Sequence, residues 1–253
     1  MPRQFSLWLL LMAPNIKTDQ SKDMIPIPCN YTDFDPDFTF TCRNMECRER
    51  LLPKQYLDFA LDDLESGRCE KARINSFSNA KRALHLQVET LASLFGFDLL
   101  KKASQRFTTF PQYIKYLERC GVVTPRILMK LNRVRNAVEH HYYVPTFDET
   151  ENFIDVVELF IAATERSIYQ FPVDIEFLPA TILSNKVPNI SLICLEPYSG
   201  EICLNANDLD DSQYRIKLTP DQDEYFQWLK VILSGAHLND YKISHEPLIH
   251  EDT

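Results

Sequence analysis

Arg133-Val134-Arg135-Asn136-Ala137-Val138-Glu139-His140-His141-Tyr142 closes an amphipathic segment that opens at Thr124-Pro125 and ends before Pro145. Thr as N-cap and Pro at the first helical position predict a helix over about 125–141. Ile127, Leu131, Val134 and Val138 form its core face. Arg126, Lys130 and Arg133 form a basic face at spacings of four and three. The last two turns gather a guanidinium, two imidazoles and a phenol. A guanidinium offers a phosphate a planar fork of donors, and an imidazole moves protons near neutral pH. Cleavage of a phosphodiester without a metal requires both.

The segments before and after this one read as further helices. Pro53 and Gly67 bracket one over about 53–66, with Leu52, Tyr56, Phe59, Ala60 and Leu64 as its apolar stripe. The clearest periodicity lies at about 72–95, where Phe77, Ala80, Leu84, Val88, Leu91 and Phe95 recur every three or four residues. Ala83, Leu86 and Leu94 widen that stripe, so this helix is expected at the centre. A third helix is expected over about 111–120, stopped by Gly121. A last one is expected over about 148–170. Five helices with short links predict an up-and-down bundle.

At Phe171-Pro172 the pattern changes to short β-branched runs. Residues 190–195 and 201–204 flank Glu196-Pro197-Tyr198-Ser199-Gly200, a hairpin signal, and 215–218 reads as a third strand. Thr219 to Gln222 has capping-box spacing ahead of Tyr225, Phe226, Leu229, Ile232 and Leu233, with a stop expected near Gly235. The predicted fold is therefore mainly α. An irregular N-terminal extension (1–50) precedes a helical bundle (51–172), and a small α+β C-terminal module (173–253) follows. Within the extension, Asn30 to Phe40 reads as an ordered loop or short strand packed on the body.

Charge separates the parts. The net charge is -9, and the residues from Glu201 onward hold 11 acids against 4 bases. The rest of the chain is near neutral, so a local basic helix there can still meet nucleic acid, whereas the C-terminal part would be repelled by it. Seven cysteines at spacings that match no zinc pattern read as free thiols in a reducing cytosol. Cys194 and Cys203 are placed as cross-strand neighbours in the hairpin. The apolar run Phe5 to Pro14 is too short to span a bilayer; a signal peptide and a ragged extension both fit it. Asn205 to Asp211 reads as an acidic loop without calcium-ligand spacing. No metal and no cofactor are expected, and a cytoplasmic location is.

Geometry leaves the motif open to two readings. On an ideal helix Arg135 and His140 stand about 140° apart, whereas Arg135, Glu139 and Tyr142 share a face. In the plain reading Arg135 pairs with Glu139 for about 0.3–0.5 kcal/mol, and His140 and His141 cap a helix C-terminus.

Arg135-Asn136-x-x-x-His140-x-Tyr142 resembles the R-N-x-x-x-H signature of the HEPN superfamily, helical RNA-processing and toxin domains. Tyr142, two residues after the His, is similar to the form in HEPN toxins paired with a minimal nucleotidyltransferase antitoxin. The likeness covers about 51–170; residues 173–253 have no counterpart in the minimal toxins. The resemblance implies catalytic roles for Arg135 on the scissile phosphate and His140 as general acid or base, with Asn136 positioning. Tyr142, with His141 and Glu139, would line the site, and Tyr142 would accept nucleotide modification. It also implies a homodimer whose two motifs face one cleft. Beside such a site Arg126, Lys130 and Arg133 read as RNA backbone contacts. The function expected is a metal-independent endoribonuclease of a toxin–antitoxin or phage-defence system. Its partners would be RNA, a second copy of the chain, and an antitoxin or nucleotidyltransferase, without a membrane. A catalytically inactive HEPN-like scaffold for RNA, nucleotide or protein is the alternative. A helical interaction protein with an accidental motif is the third reading.

Overall fold

A computed structural model describes residues 38–45, 49–104, 109–122, 128, 143–177, 189–207 and 213–245. In chain order the described elements are β1 (Phe38–Arg43), α1 (Pro53–Glu65), α2 (Glu70–Leu94), α3 (Phe97–Ser104), α4 (Phe110–Cys120), α5 (Phe147–Thr164) and α6 (Arg166–Tyr169). There follow β2 (Phe171–Phe177), β3 (Asn189–Glu196), β4 (Glu201–Asn207), β5 (Gln213–Leu218) and α7 (Asp223–His245).

Several helix starts share one device. The residue three positions into each start turns its side-chain carbonyl back onto a backbone N–H. Gln55 Oε1 accepts from Leu52 N at 2.8 Å and Gln112 Oε1 from Thr109 N at 2.8 Å. Gln222 Oε1 accepts from Thr219 N at 2.9 Å, just ahead of α7. Each satisfies a donor that the first turn leaves over. At the exit of α4, Gly121 adopts a left-handed φ of 86° and Val122 N donates to Leu117 O at 3.0 Å. This is the hydrogen bond that closes a helix on a C-terminal glycine.

α2 is central, as its periodicity predicts. Phe77, Ala80, Leu84, Val88 and Leu91 are buried, and the helix packs against α1, α4 and α5. Ser76 Oγ donates to Ala60 O at 2.6 Å, and Gln87 Nε2 donates to Thr164 Oγ1 at 2.9 Å, so the buried polar groups tie α2 to its neighbours. The expected stripe of α1 is rotated in the fold. Leu57 and Ala60 are buried, while Phe59 is exposed, its ring edge-on to Tyr56.

The mainly α expectation is overturned. The strands form one five-stranded antiparallel sheet in the order β1-β2-β3-β4-β5, and the fold is mixed α+β. β1 begins within the part of the N-terminal extension read as an ordered loop or short strand, and runs on to Arg43. It pairs Phe38 with Phe177 and Phe40 with Ile175 on β2. Ile175, Ile193, Leu195, Ile202, Leu204 and Ala206 are buried in the same cluster as the helix side chains. Tyr225, Trp228, Leu229 and Ile232 of α7 belong to it too. A helix bundle with a detachable module would have two cores; these side chains form one, because the apolar face of the sheet needs a partner and the helices supply it.

The hairpin between β3 and β4 supplies the tightest joint. Its tip lies on the C-terminal end of α2, where Tyr198 N donates to Leu94 O at 3.0 Å. Phe95 O accepts from two buried phenols, Tyr116 Oη at 2.5 Å and Tyr225 Oη at 2.9 Å. Burial pushes both phenols above the usual tyrosine range, so they stay protonated and donate. Carbonyls that a helix end leaves over are thus answered by residues from α4, α7 and the sheet.

Smaller differences have similar causes. α3 was not read in the sequence, where the helical signal stops at Phe95; Gly96, with φ 83°, turns the chain and lets a second short helix begin. α7 continues past Gly235 instead of stopping there, and Gly235 is buried. β4 extends to Asn207, so the acidic stretch begins as strand. Cys194 lies directly opposite Cys203, as the hairpin reading placed it. No helix among the described residues is long and apolar enough to cross a membrane.

Candidate functional site

Arg126, Lys130, Arg133, Arg135, Asn136, Glu139, His140, His141 and Tyr142 lie outside the described residues, as do Ile127, Leu131, Val134 and Val138. The structure therefore neither brings these side chains together nor separates them. It does describe both ends of the motif segment and one residue within it. The segment leaves from the glycine-closed end of α4, and Leu128 is fully buried in the core cluster. Leu128 was absent from the core face read in the sequence.

The far end is tied down residue by residue. Tyr143 Oη donates to Glu149 Oε2 at 2.7 Å. The same carboxylate oxygen accepts from Thr146 N at 2.8 Å, and Glu149 N donates to Thr146 Oγ1 at 3.2 Å, completing a capping box at the start of α5. The Arg68 guanidinium lies 4.7 Å from the centre of the Phe147 ring, a cation–π arrangement. The residue directly after Tyr142 is thus held against the first turn of α5.

The Thr146 backbone N–H, aided by the Tyr143 hydroxyl, holds the Glu149 carboxyl below the usual carboxylate range. A depressed folded-state value means that Glu149 stabilises the fold above its unfolded value, about pH 4.3. That contribution is lost as pH falls through the folded value. In thermal melts, wild type should exceed Glu149→Gln in Tm by a constant amount above about pH 5, and the gap should close as pH falls below the unfolded value and through the lowered folded one. A pH-independent gap would show that the carboxylate charge is not what the cap uses.

The described residues also enclose a cleft of about 420 Å³. Residues 49–51 and Tyr56 of α1 form one wall, and Arg82, His85, Leu86 and Glu89 of α2 form the other. Those four α2 residues stand at spacings of three, four and seven, which is one stripe of a helix. The His85 ring stacks on Phe110, 4.6 Å between centres and 15° from parallel. Arg82 Nη1 donates to Asn79 Oδ1 at 2.9 Å. Burial pushes the Glu89 carboxyl above its usual range, with Lys101 opposing. Charged residues every three or four positions are ordinary for an exposed helix face, so the sequence carried no signal for this cleft. It exists because another part of the chain lies beside the stripe. Among the described residues no group of three or more His, Cys, Asp or Glu is placed to hold a metal ion.

Comparison with family models, with curated proteins and with solved structures finds no match to this chain.

Proposed function

We propose that the chain is a metal-independent endoribonuclease of the HEPN type, serving in a toxin–antitoxin or phage-defence system. The observation that carries the reading is the motif Arg135-Asn136-x-x-x-His140-x-Tyr142. The segment that bears it joins α4 to α5, two helices that both pack on α2, which supports a motif mounted on a helical layer. In this reading Arg135 binds the scissile phosphate and stabilises charge as the reaction proceeds. His140 moves a proton at the 2'-hydroxyl or at the leaving oxygen. Asn136 positions the reacting groups. Arg126, Lys130 and Arg133 hold the RNA backbone, and Tyr142 is open to modification by a nucleotidyltransferase partner.

The purified chain incubated with total RNA in chelator should cut RNA and leave DNA of the same sequence intact, because the nucleophile is the substrate's own 2'-hydroxyl. The products should be a 2',3'-cyclic phosphate and a 5'-hydroxyl. Cleavage of DNA, or activity lost in EDTA, would count against the mechanism.

A site shared between two motifs requires two chains, so a two-fold homodimer is expected. Light scattering should give twice the chain mass at concentrations of about tens of micromolar, well above the dissociation constants of stable dimers. A monomer at that concentration would remove the shared cleft from the reading.

A further inference from the structure

The proposed cleavage assigns no role to the residues that line the cleft between residues 49–51, α1 and α2. Three features bear on what it would hold. Its volume, about 420 Å³, falls within the range of about 300–1,000 Å³ usual for small-ligand sites. Leu51, Leu86 and the Tyr56 ring give it apolar surface, all three partly covered. Arg50 and Arg82 stand on its rim, and among the described residues neither guanidinium is in an ion pair. Arg82 spends one of its donors on the Asn79 amide, a neutral acceptor.

Charge narrows the ligand further. Glu49 and Glu89 share the rim with the two arginines, so these four groups sum to zero formal charge. A surface of zero net charge does not draw in a polyanion, whose binding depends on releasing counterions from a stretch of phosphates. What the two arginines offer is directional: two planar donor forks, which the three strong acceptor oxygens of a phosphate monoester can engage at once. The apolar wall then asks for an organic body attached to that phosphate.

We infer that this cleft binds a small organic phosphate monoester, its phosphate on Arg50 and Arg82 and its apolar body against Leu51, Tyr56 and Leu86. None of the residues named here belongs to the motif at 135–142, and the inference stands whether or not the chain cleaves RNA.

Titration calorimetry on the full chain tests it with phenyl phosphate as the probe, beside inorganic phosphate and phenol. Phenyl phosphate should bind saturably with one site per chain, and inorganic phosphate and phenol should each bind at least about tenfold more weakly, each lacking one half of the contacts. Arg50→Gln and Arg82→Gln should each weaken phenyl phosphate by about tenfold or more, the loss typical of a charge-assisted hydrogen bond. Both arginines are exposed, so these variants should keep the wild-type circular dichroism spectrum. Tyr56→Phe should bind like wild type, since the ring is what is used. No saturation below about 10 mM phenyl phosphate would overturn the inference. So would binding unchanged in both arginine variants, or single-stranded RNA competing for the site as well as inorganic phosphate does.

Discussion

Gly200→Ala should destabilise the protein by about 3 kcal/mol, among the largest effects available to so small a change. Gly200 sits at a left-handed φ of 61°, and a Cβ built there would stand 2.6 Å from Phe95 O and 2.8 Å from Gly96 Cα. A left-handed alanine costs about 1–2 kcal/mol, and forcing an atom into a packed site about 1–3 more. The atoms in the way are backbone, held by the two tyrosine hydroxyls on Phe95 O, and cannot rotate aside. Gly96→Ala meets the same joint from the other side, with Ser199 O at 2.8 Å. Gly67→Ala is the control. It too has a positive φ, 147°, but nothing lies within 4 Å of the added carbon. Urea melts should therefore rank Gly200→Ala and Gly96→Ala well below Gly67→Ala. Equal losses at all three would mean that the hairpin tip does not bear on the end of α2.

His140→Ala and Arg135→Ala should each lower RNA cleavage by about a hundredfold or more, the usual loss on removing a general acid or base. Among the motif groups, imidazole has the ordinary pKa nearest neutrality, while a guanidinium stays charged throughout. The pH profile of cleavage should accordingly follow one imidazole and flatten in His140→Ala. The core stripe read from the sequence is Ile127, Leu131, Val134 and Val138, which leaves both variants able to fold. Tyr142→Phe is the contrasting case: it should cleave nearly as wild type, because a phenol is not needed for the proton transfer, but lose the acceptor of nucleotide modification. A fully active His140→Ala protein would reject the mechanism. Wild-type cleavage together with no phenyl phosphate binding would leave the mechanism standing and remove only the ligand cleft.

Most of the described helices were legible because their signals are local. The three- and four-residue recurrence of Phe77, Ala80, Leu84, Val88 and Leu91 reports a buried face whatever lies opposite it. Pro53 and Gly121 mark ends through contacts within one turn. The β3–β4 hairpin was legible for the same reason, since Pro197 to Gly200 closes it within a few residues. The motif at 135–142 is likewise a property of sequence spacing, and the chemistry of its side chains follows from their types.

Long-range packing set the remainder. Nothing within Phe38 to Arg43 says that its partner is Phe171 to Phe177, far along the chain; the pairing holds because both strands serve one core. That pairing turns a supposed helical bundle with an appendage into one α+β fold. Phe59 belongs to an apolar pattern yet faces solvent, because the rotation of α1 is set by how Leu57 and Ala60 meet α2. Arg82, His85 and Glu89 read as an ordinary polar stripe until residues 49–51 and Tyr56 lie beside them. Local pattern names which faces of a chain seek cover. Which segments supply that cover, and which polar groups meet as a result, is a property of the closed core.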